Sequence, residues 1–125
     1  IGLSEVSVEQ IEKARKVVPI ATVQNHYNLE VRQHENVLDY CGREKIAFLP
    51  FFPLASGSLS HQQELQELAE KYQVTPIQIA LAWLLKRSPM MLPIPGTLSI
   101  EHLESNIAAA SIKLSEEDYQ VLTRL

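Results

Sequence analysis

The sequence predicts an α/β fold built around a parallel sheet. Short apolar segments at residues 1–3, 20–23, 46–52 and 90–94 alternate with segments in which apolar residues recur at helical spacing. The run over 46–52 is continuously apolar, which is typical of a parallel strand that is covered on both faces. Alternating strands and helices favour right-handed crossovers, and two architectures fit this order: a small doubly wound sheet, or part of a (β/α)8 barrel.

The composition is that of one globular domain without a nucleic-acid or membrane surface. The chain has 125 residues and a formal net charge of −4, so no basic patch for nucleic acid or anionic lipid is expected. No apolar run approaches the roughly 20 residues of a membrane span, and no signal peptide opens the sequence. Cys41 is the only cysteine, which excludes an intramolecular disulfide and fits a reducing cytoplasm.

The first half of the chain is predicted to contain two helices and a short strand between them. Ser7 and Gln10 have the spacing of a capping box, and the helix that they begin is expected to stop at Pro19. Residues 20–23 are apolar and rich in β-branched side chains, as expected for a short buried strand. A polar turn and a helix over 35–44 follow.

The second half is predicted to contain four helices and two strands. Pro50 cannot donate to a ladder, so the apolar strand should end near it, before a loop rich in serine and glycine over 53–60. The next helix carries apolar residues at helical spacing between Leu65 and Tyr72. The three remaining helices begin after the N-cap residues Thr75, Ser99 and Ser115. The first of these three is expected over 76–87, with proline at its first position.

Polar or glycine-containing segments follow each predicted strand, at the end where parallel sheets bind ligands. These segments are 2–5, 24–28, 51–57 and 93–97. The last segment leads to the helix that begins at Ser99, whose first turn would present unpaired N–H groups and the positive end of its dipole. That turn is either a plain βα connection or the binding site of an anionic group.

These four segments, in this order, resemble the corresponding segments of the aldo-keto reductases. The motifs are Ile1-Gly2-Leu3-Ser4, Val23-Gln24-Asn25, Phe52-Pro53-Leu54, and Ile94-Pro95-Gly96-Thr97 followed by Asn106. The resemblance covers 1–125 and implies the C-terminal half of a (β/α)8 barrel, from the end of its fifth strand through its eighth strand. It also implies a cofactor at the C-terminal face, NADP(H) as the first choice and NAD(H) as the alternative.

The resemblance implies which residues hold the nicotinamide and pyrophosphate groups. Ser4 and Gln24 would hydrogen-bond the nicotinamide carboxamide, and Phe51 would stack on the ring. Glu5 departs from the family's more common asparagine, which would remove or rearrange one carboxamide contact. The loop over the pyrophosphate would comprise Pro53, Leu54, Ser56, Gly57 and Leu59.

The resemblance places the adenosine half of the cofactor at the last of the four segments. The residues that would lie against it are Pro95, Gly96, Thr97, Leu98, Ser99, His102 and Asn106. Asn106 matches a residue that contacts adenine. Leu98 and His102 stand near positions where basic residues often clamp the 2′-phosphate, so the margin of NADPH over NADH is expected to be small.

No catalytic or metal-binding residue is expected in this chain. In the family, a tyrosine, a lysine, an aspartate and a histidine from the first half of the barrel perform proton transfer, and no matching motif occurs here. The four histidines and Cys41 have no metal-ligand spacing, and Trp83 is expected to pack in the core. A chain that begins in mid-strand without methionine is expected to be a piece of a longer protein.

The leading hypothesis is a fragment or truncated product of an NADP(H)-dependent reductase that converts an aldehyde or ketone to an alcohol. The alternatives are a non-catalytic half-barrel that binds nucleotide or a partner protein, and an unrelated parallel α/β domain. The expected partners are a small carbonyl substrate in the parent enzyme and either an N-terminal half-barrel or a second copy of the chain.

Overall fold

The computed structural model describes residues 1–55 and 62–125, and its centre is a parallel sheet. Three strands pair in chain order: β1 (Gly2–Ser4), β2 (Thr22–Gln24) and β3 (Ala47–Phe48). A parallel bridge between Phe48 and Met91 adds a fourth position beside β3. The predicted parallel α/β fold is therefore confirmed.

Helices connect and flank these strands. In the described residues they are α1 (Val8–Arg15), α2 (Glu35–Glu44), α3 (Gln62–Tyr72), α4 (Pro76–Arg87), α5 (Ile100–Ala108) and α6 (Glu116–Thr123), with a short 3-10 helix (Ala109–Ser111) after α5. The helices predicted over 35–44 and 76–87 match α2 and α4 at both ends. The predicted capping boxes at Ser7 and Thr75 both form.

Helix α1 ends earlier than expected. It was predicted to continue to Pro19, but it stops at Arg15, and the next residues close in turns in which the Val17 N–H donates to the Ala14 carbonyl. The proline restricts only the residue before it, Val18, so the helix ends through these turns and not at the proline itself.

The apolar run over 46–52 forms a shorter strand than predicted. Regular pairing is confined to β3, because Pro50 has no N–H to donate to a ladder. Pairing resumes beyond the proline as one parallel bridge between His26 and Phe51. The neighbouring strand, predicted over 20–23, begins two residues later, at Thr22, and ends one residue later, at Gln24.

The strand expected over 90–94 is reduced to a single bridge. The Phe48 N–H donates to the Met90 carbonyl at 2.8 Å, and the Phe48 carbonyl accepts from the Leu92 N–H at 2.8 Å. The next residue is Pro93, which cannot donate, so the ladder ends there.

A stack of rings forms the centre of the helical layer. Trp83 is completely buried between Tyr27 and Tyr119, at centroid distances of 6.1 and 6.4 Å. The Arg32 guanidinium lies 4.7 Å from the indole centroid, and the indole N–H donates to Thr123 Oγ1 at 3.0 Å. Trp83 is therefore a packing residue, as the sequence predicted.

A buried carboxylate attaches the last helix to α3. Both Asp118 carboxylate oxygens accept from Lys71 Nζ, at 2.8 and 2.9 Å, and the same group accepts from Tyr72 Oη at 2.5 Å and Ser115 Oγ at 2.7 Å. These bonds lower the pKa of Asp118 to about 2. The bond from Lys71 has the largest effect, and the bond from Tyr72 has the next largest. The carboxylate therefore stays charged at neutral pH and holds α6 in place.

We expect Asp118→Asn to destabilise the fold by about 1–3 kcal/mol at pH 7, because it removes charge-assisted bonds from a buried carboxylate. The folded-state pKa lies below the ordinary 3.8, so the contribution is present at neutral pH and disappears as the pH falls through about 2. Urea unfolding at pH 7 and pH 3 tests this. Equal stability of Asp118→Asn and the unmodified protein at pH 7 would contradict the proposed role of this carboxylate.

One side of the molecule is apolar and uncovered. On α5, Ile100, Leu103 and Ile107 recur at helical spacing and are 77%, 49% and 64% exposed. No residue of α5 is buried. Leu92 and Ile94, beyond the last bridge of the sheet, are also exposed. Large apolar side chains exposed together on one helix face are typical of surfaces that contact another protein.

We expect the isolated chain to self-associate or to require a complementary half-barrel. The apolar face of α5 is uncovered, and β1 is paired on one side only among the described residues, which leaves a strand edge open. Sedimentation velocity at micromolar concentration measures this directly. A compact, stably folded monomer under those conditions would contradict the prediction.

Candidate functional site

A cleft of about 880 Å³ lies where the end of β3 faces α4 and α5. One wall is the segment 51–54, and the opposite wall contains Thr75 and Ile77 at the start of α4. The remaining lining comes from the segment 94–97 and from α5: Ile94, Pro95, Gly96, Thr97, Glu101, His102, Ser105 and Asn106. The cleft therefore brings together residues that are widely separated in sequence.

The two predicted carboxamide ligands lie side by side at the ends of their strands. Ser4 and Gln24 are direct partners in the parallel register of β1 and β2. Ser4 is exposed, Gln24 is half-buried, and neither side chain hydrogen-bonds a described residue. Both polar groups are therefore available to a ligand, although neither lines the cleft itself.

Two buried asparagines fix the loops beside these strand ends. The Asn25 side chain accepts from the Val6 N–H at 3.1 Å and donates to the Val6 carbonyl at 2.9 Å. Asn28 donates to the Phe52 carbonyl at 2.9 Å. Both amides are completely buried, and each bonds backbone groups of a neighbouring segment. Sequence reasoning noted Asn25 only as part of a motif.

The backbone is strained at several points of this edge. Glu5, Phe52 and Ala55 have left-handed φ angles of 53°, 49° and 46°. The Glu5 carboxylate accepts from the His26 N–H at 2.8 Å, so it holds a loop. The glutamate that departs from the family motif thus has a structural contact. Such conformations persist where surrounding contacts enforce them, and they concentrate at functional sites.

The predicted stacking residue lines the cleft. Phe51 is half-buried, and its ring is parallel to that of His26, with centroids 5.1 Å apart and an interplanar angle of 14°. Pro53 is buried and Leu54 half-buried on the same wall. Ser56, Gly57 and Leu59, which were predicted to cover the pyrophosphate, lie outside the described residues.

The predicted adenosine end divides between two adjoining pockets. Pro95, Gly96, Thr97, His102 and Asn106 line the main cleft. Leu98 and Ser99 line a smaller pocket beside it, which Pro95, Gly96 and Thr97 also border. The structure therefore brings together all the adenosine-end residues predicted from the sequence.

The start of α5 is held by hydroxyl groups. Ser99 Oγ accepts from the His102 N–H at 3.3 Å, and Thr97 Oγ1 accepts from the Ser99 N–H at 3.1 Å. Leu98 projects fully into solvent. A Cβ added at Gly96 would meet nothing within 4 Å, and its φ is not left-handed. Glycine is thus required there neither by the turn nor by packing, and it leaves the backbone open to close approach by a ligand.

The described lining of both pockets contains no lysine or arginine. Glu101 and His102 are the titratable side chains there. The anionic part of a ligand would therefore depend on backbone N–H groups and hydroxyls. The small margin of NADPH over NADH stays a prediction.

No tyrosine lines the cleft in the described part of the chain. The hydroxyls of Tyr27, Tyr40 and Tyr72 contact Glu35, Arg15 and Asp118, respectively. Burial, followed by the Glu35 hydrogen bond, raises the pKa of Tyr27 above its usual value, so it is a poor proton donor.

The described residues contain no group of three or more histidine, cysteine or carboxylate side chains that could hold a metal ion. Burial raises the pKa of the Cys41 thiol to about 11, so it stays protonated at neutral pH. Among the same residues, no helix is long and apolar enough to cross a bilayer.

Several residues of this site were missed by sequence reasoning. Thr75, Ile77 and Ser105 line the cleft, but their sequence signals are those of ordinary helix positions, and only the tertiary packing of α4 against α5 places them there. The position of His26 beside this site could have been predicted from the sequence. Side chains alternate along an extended segment, so a residue two positions after Gln24 should share its face.

The chain is similar to known reductases over its whole length. A model described as the aldo/keto reductase family matches residues 1–125. An uncharacterized oxidoreductase of Schizosaccharomyces pombe, C215.11c, is 47% identical over 123 residues, which are 98% of this chain and 40% of that protein. Pyridoxine 4-dehydrogenase of Escherichia coli is 45% identical over 117 residues, which are 94% of this chain and 41% of that protein.

Solved structures show the same similarity in three dimensions. The thermostable aldo-keto reductase Tm1743, in complex with the inhibitor epalrestat, superposes with a TM-score of 0.93 at 34% identity, over 99% of this chain and 47% of that one. An aldo/keto reductase of Klebsiella pneumoniae, in complex with NADP and acetate, superposes with a TM-score of 0.89 at 31% identity. The superposition covers 98% of this chain and 46% of that one.

These structural neighbours are (β/α)8 barrels, and the parallel strands described above form part of such a barrel. The chain spans about two fifths of the length of the two curated relatives. The match to the family model extends from its first residue to its last, and the resemblance inferred from its strand-end motifs is confirmed. The chain belongs to the aldo/keto reductase family.

Proposed function

We propose that this chain carries most of the cofactor site of an NADP(H)-dependent oxidoreductase that reduces an aldehyde or ketone to an alcohol. The observation that carries the proposal is the cleft in which Phe51 and Asn106 are brought together. The cleft runs from the end of β3 to α5, and this extended form suits a dinucleotide. Solved relatives from Klebsiella pneumoniae contain NADP or NADPH, which supports this cofactor.

The nicotinamide end of the proposed site lies at β1, β2 and the end of β3. Ser4 and Gln24 would bind the carboxamide, because a hydroxyl and a side-chain amide match its donors and acceptor, and both are free of described partners. Phe51 would orient the ring by stacking, since it presents a half-exposed aromatic face at the cleft. When bound, the nicotinamide supplies the hydride of the reduction.

The adenosine end of the proposed site lies at the start of α5. Gly96, Thr97 and Ser99 would hold the ribose and its phosphate, because the backbone there is open and the helix start carries a positive dipole. Asn106 would hydrogen-bond the adenine, with Leu98 and His102 beside the 2′-phosphate. The pyrophosphate would lie beside Pro53 and Leu54, and the contacts expected from Ser56, Gly57 and Leu59 fall outside the described residues.

We propose that proton transfer comes from residues outside this chain. The family's activity requires a group that protonates the developing alkoxide, and no tyrosine of the described chain lines the cleft. The complementary half-barrel, or a second copy, would cover the exposed face of α5. NAD(H) is the alternative cofactor, since the described lining of the cleft contains no lysine or arginine. We also propose a cytoplasmic setting, with which the single buried cysteine is compatible.

A second candidate is a non-catalytic half-barrel that binds nucleotide or a partner protein, and the uncovered apolar face of α5 favours it. Titration of the full-length protein with NADPH, followed by NADPH absorbance with an activated aromatic aldehyde, separates the two. Binding with turnover supports the reductase. Binding without turnover supports the second candidate, and no binding of NADPH or NADH contradicts both cofactor proposals.

A further inference from the structure

His26 lies on the same face of the sheet as the proposed nicotinamide contacts. Side chains alternate along the extended segment that continues β2, so His26 shares the face of Gln24, whereas the completely buried Asn25 points to the other side. The parallel bridge between His26 and Phe51 places those two residues side by side. A histidine thus stands among the residues that would surround the nicotinamide ring.

The three rings at this edge have a defined arrangement. His26 and Phe51 stack with centroids 5.1 Å apart and planes 14° apart, and Phe52 meets both rings edge-on at 5.7 and 5.6 Å. One face of Phe51 is therefore occupied by the imidazole. Phe51 lines the cleft, whereas His26 is not among the lining residues, so only the face of Phe51 that the imidazole leaves free can take a further ring.

Hydrogen bonds from neighbouring loops fix the cluster formed by the rings of His26, Phe51 and Phe52. The His26 N–H donates to Glu5 Oε1 at 2.8 Å, which fixes the backbone that carries the imidazole. Asn28 Nδ2 donates to the Phe52 carbonyl at 2.9 Å and lies 3.5 Å from His26 Nε2. The left-handed φ of Phe52, 49°, is maintained by these contacts.

We propose that His26 is a positioning residue for the cofactor: its imidazole supports the ring of Phe51 and fixes the plane on which the nicotinamide stacks. This inference rests on the proposed function. The support is supplied by a flat aromatic ring, because offset stacking depends on the π-faces of both partners. It should therefore be preserved by another flat ring and lost with an aliphatic side chain of similar size.

The test compares two variants that both fill the space of the imidazole, His26→Phe and His26→Leu, in the full-length protein. Dissociation constants are measured for NADPH and for adenosine 2′,5′-bisphosphate, which lacks the nicotinamide. We expect His26→Leu to weaken NADPH binding about three- to tenfold and to leave the bisphosphate unchanged, and His26→Phe to restore most of the NADPH affinity.

Four other outcomes would overturn the inference. Equal weakening of both ligands by His26→Leu would indicate a general structural role. Tighter NADPH binding would show that the imidazole competes for the stacking face, and equal NADPH affinities of the two variants would show that a ring is not needed. If the unmodified protein binds the bisphosphate but not NADPH or NADH, the proposed function itself fails, and the inference fails with it.

Discussion

The 125-residue chain by itself is expected to show no measurable carbonyl reduction, even if it binds NADPH. Hydride transfer to a carbonyl creates an alkoxide, which needs a nearby proton donor of suitable pKa. The hydroxyls of Tyr27, Tyr40 and Tyr72 are engaged within the helical layer, away from the cleft lining. Loss of acid catalysis alone removes about 10²–10⁴-fold in rate, or roughly 3–5 kcal/mol of barrier stabilisation.

The assay follows NADPH absorbance with an activated aromatic aldehyde at saturating cofactor. The chain is measured alone and after addition of the part of the Escherichia coli relative that it does not cover, since it matches 41% of that protein. Turnover only after that addition is the expected result. Turnover by the chain alone would contradict this prediction and would show that the acid lies within this chain.

The second large effect concerns cofactor choice. Leu98→Arg and His102→Arg should each increase the preference for NADPH over NADH about tenfold, because the described lining has no lysine or arginine and only NADPH carries a 2′-phosphate. One charge-assisted hydrogen bond contributes roughly 1.5–3 kcal/mol where the pair is desolvated. Leu98 is fully exposed, so its effect should be the smaller of the two.

Titration of each variant with both cofactors measures this preference. Leu98→Gln serves as the matched control, since it adds a polar side chain without charge and should leave the ratio of the two affinities unchanged. Equal tightening of NADPH and NADH by both arginine variants would contradict the placement of the 2′-phosphate at the start of α5. A stronger effect of Leu98→Arg than of His102→Arg would place the phosphate in the smaller pocket.

Helix starts were predictable from the sequence because they depend on local hydrogen bonds. The side chains of Ser7, Thr75, Ser99 and Ser115 each accept the N–H of the residue three positions later, as their spacing predicted. Strand ends were less predictable. An apolar run indicates burial, but the length of a strand also depends on N–H groups that can donate to the neighbouring strand. Pro50 and Pro93 have no such group, and regular pairing ends near each of them.

The site was predictable where it follows from position at the end of a strand. Phe51 and Gly96 could be placed at the cleft because parallel strands end at one edge of the sheet, and the family motifs supplied their roles. Ile77 and Ser105 could not, because they reach the cleft through the packing of two helices. Asn25 carried a motif signal, but its role in pairing with Val6 became clear only from the hydrogen bonds.

A crystal structure of the full-length protein with NADP⁺ tests the central claim most directly. The cofactor is expected to extend along the cleft, with adenine beside Asn106 and the nicotinamide ring stacked on Phe51. Its carboxamide should lie within hydrogen-bond distance of Ser4 and Gln24. Cofactor density at any other place, with the cleft between Phe51 and Asn106 empty, would contradict the account.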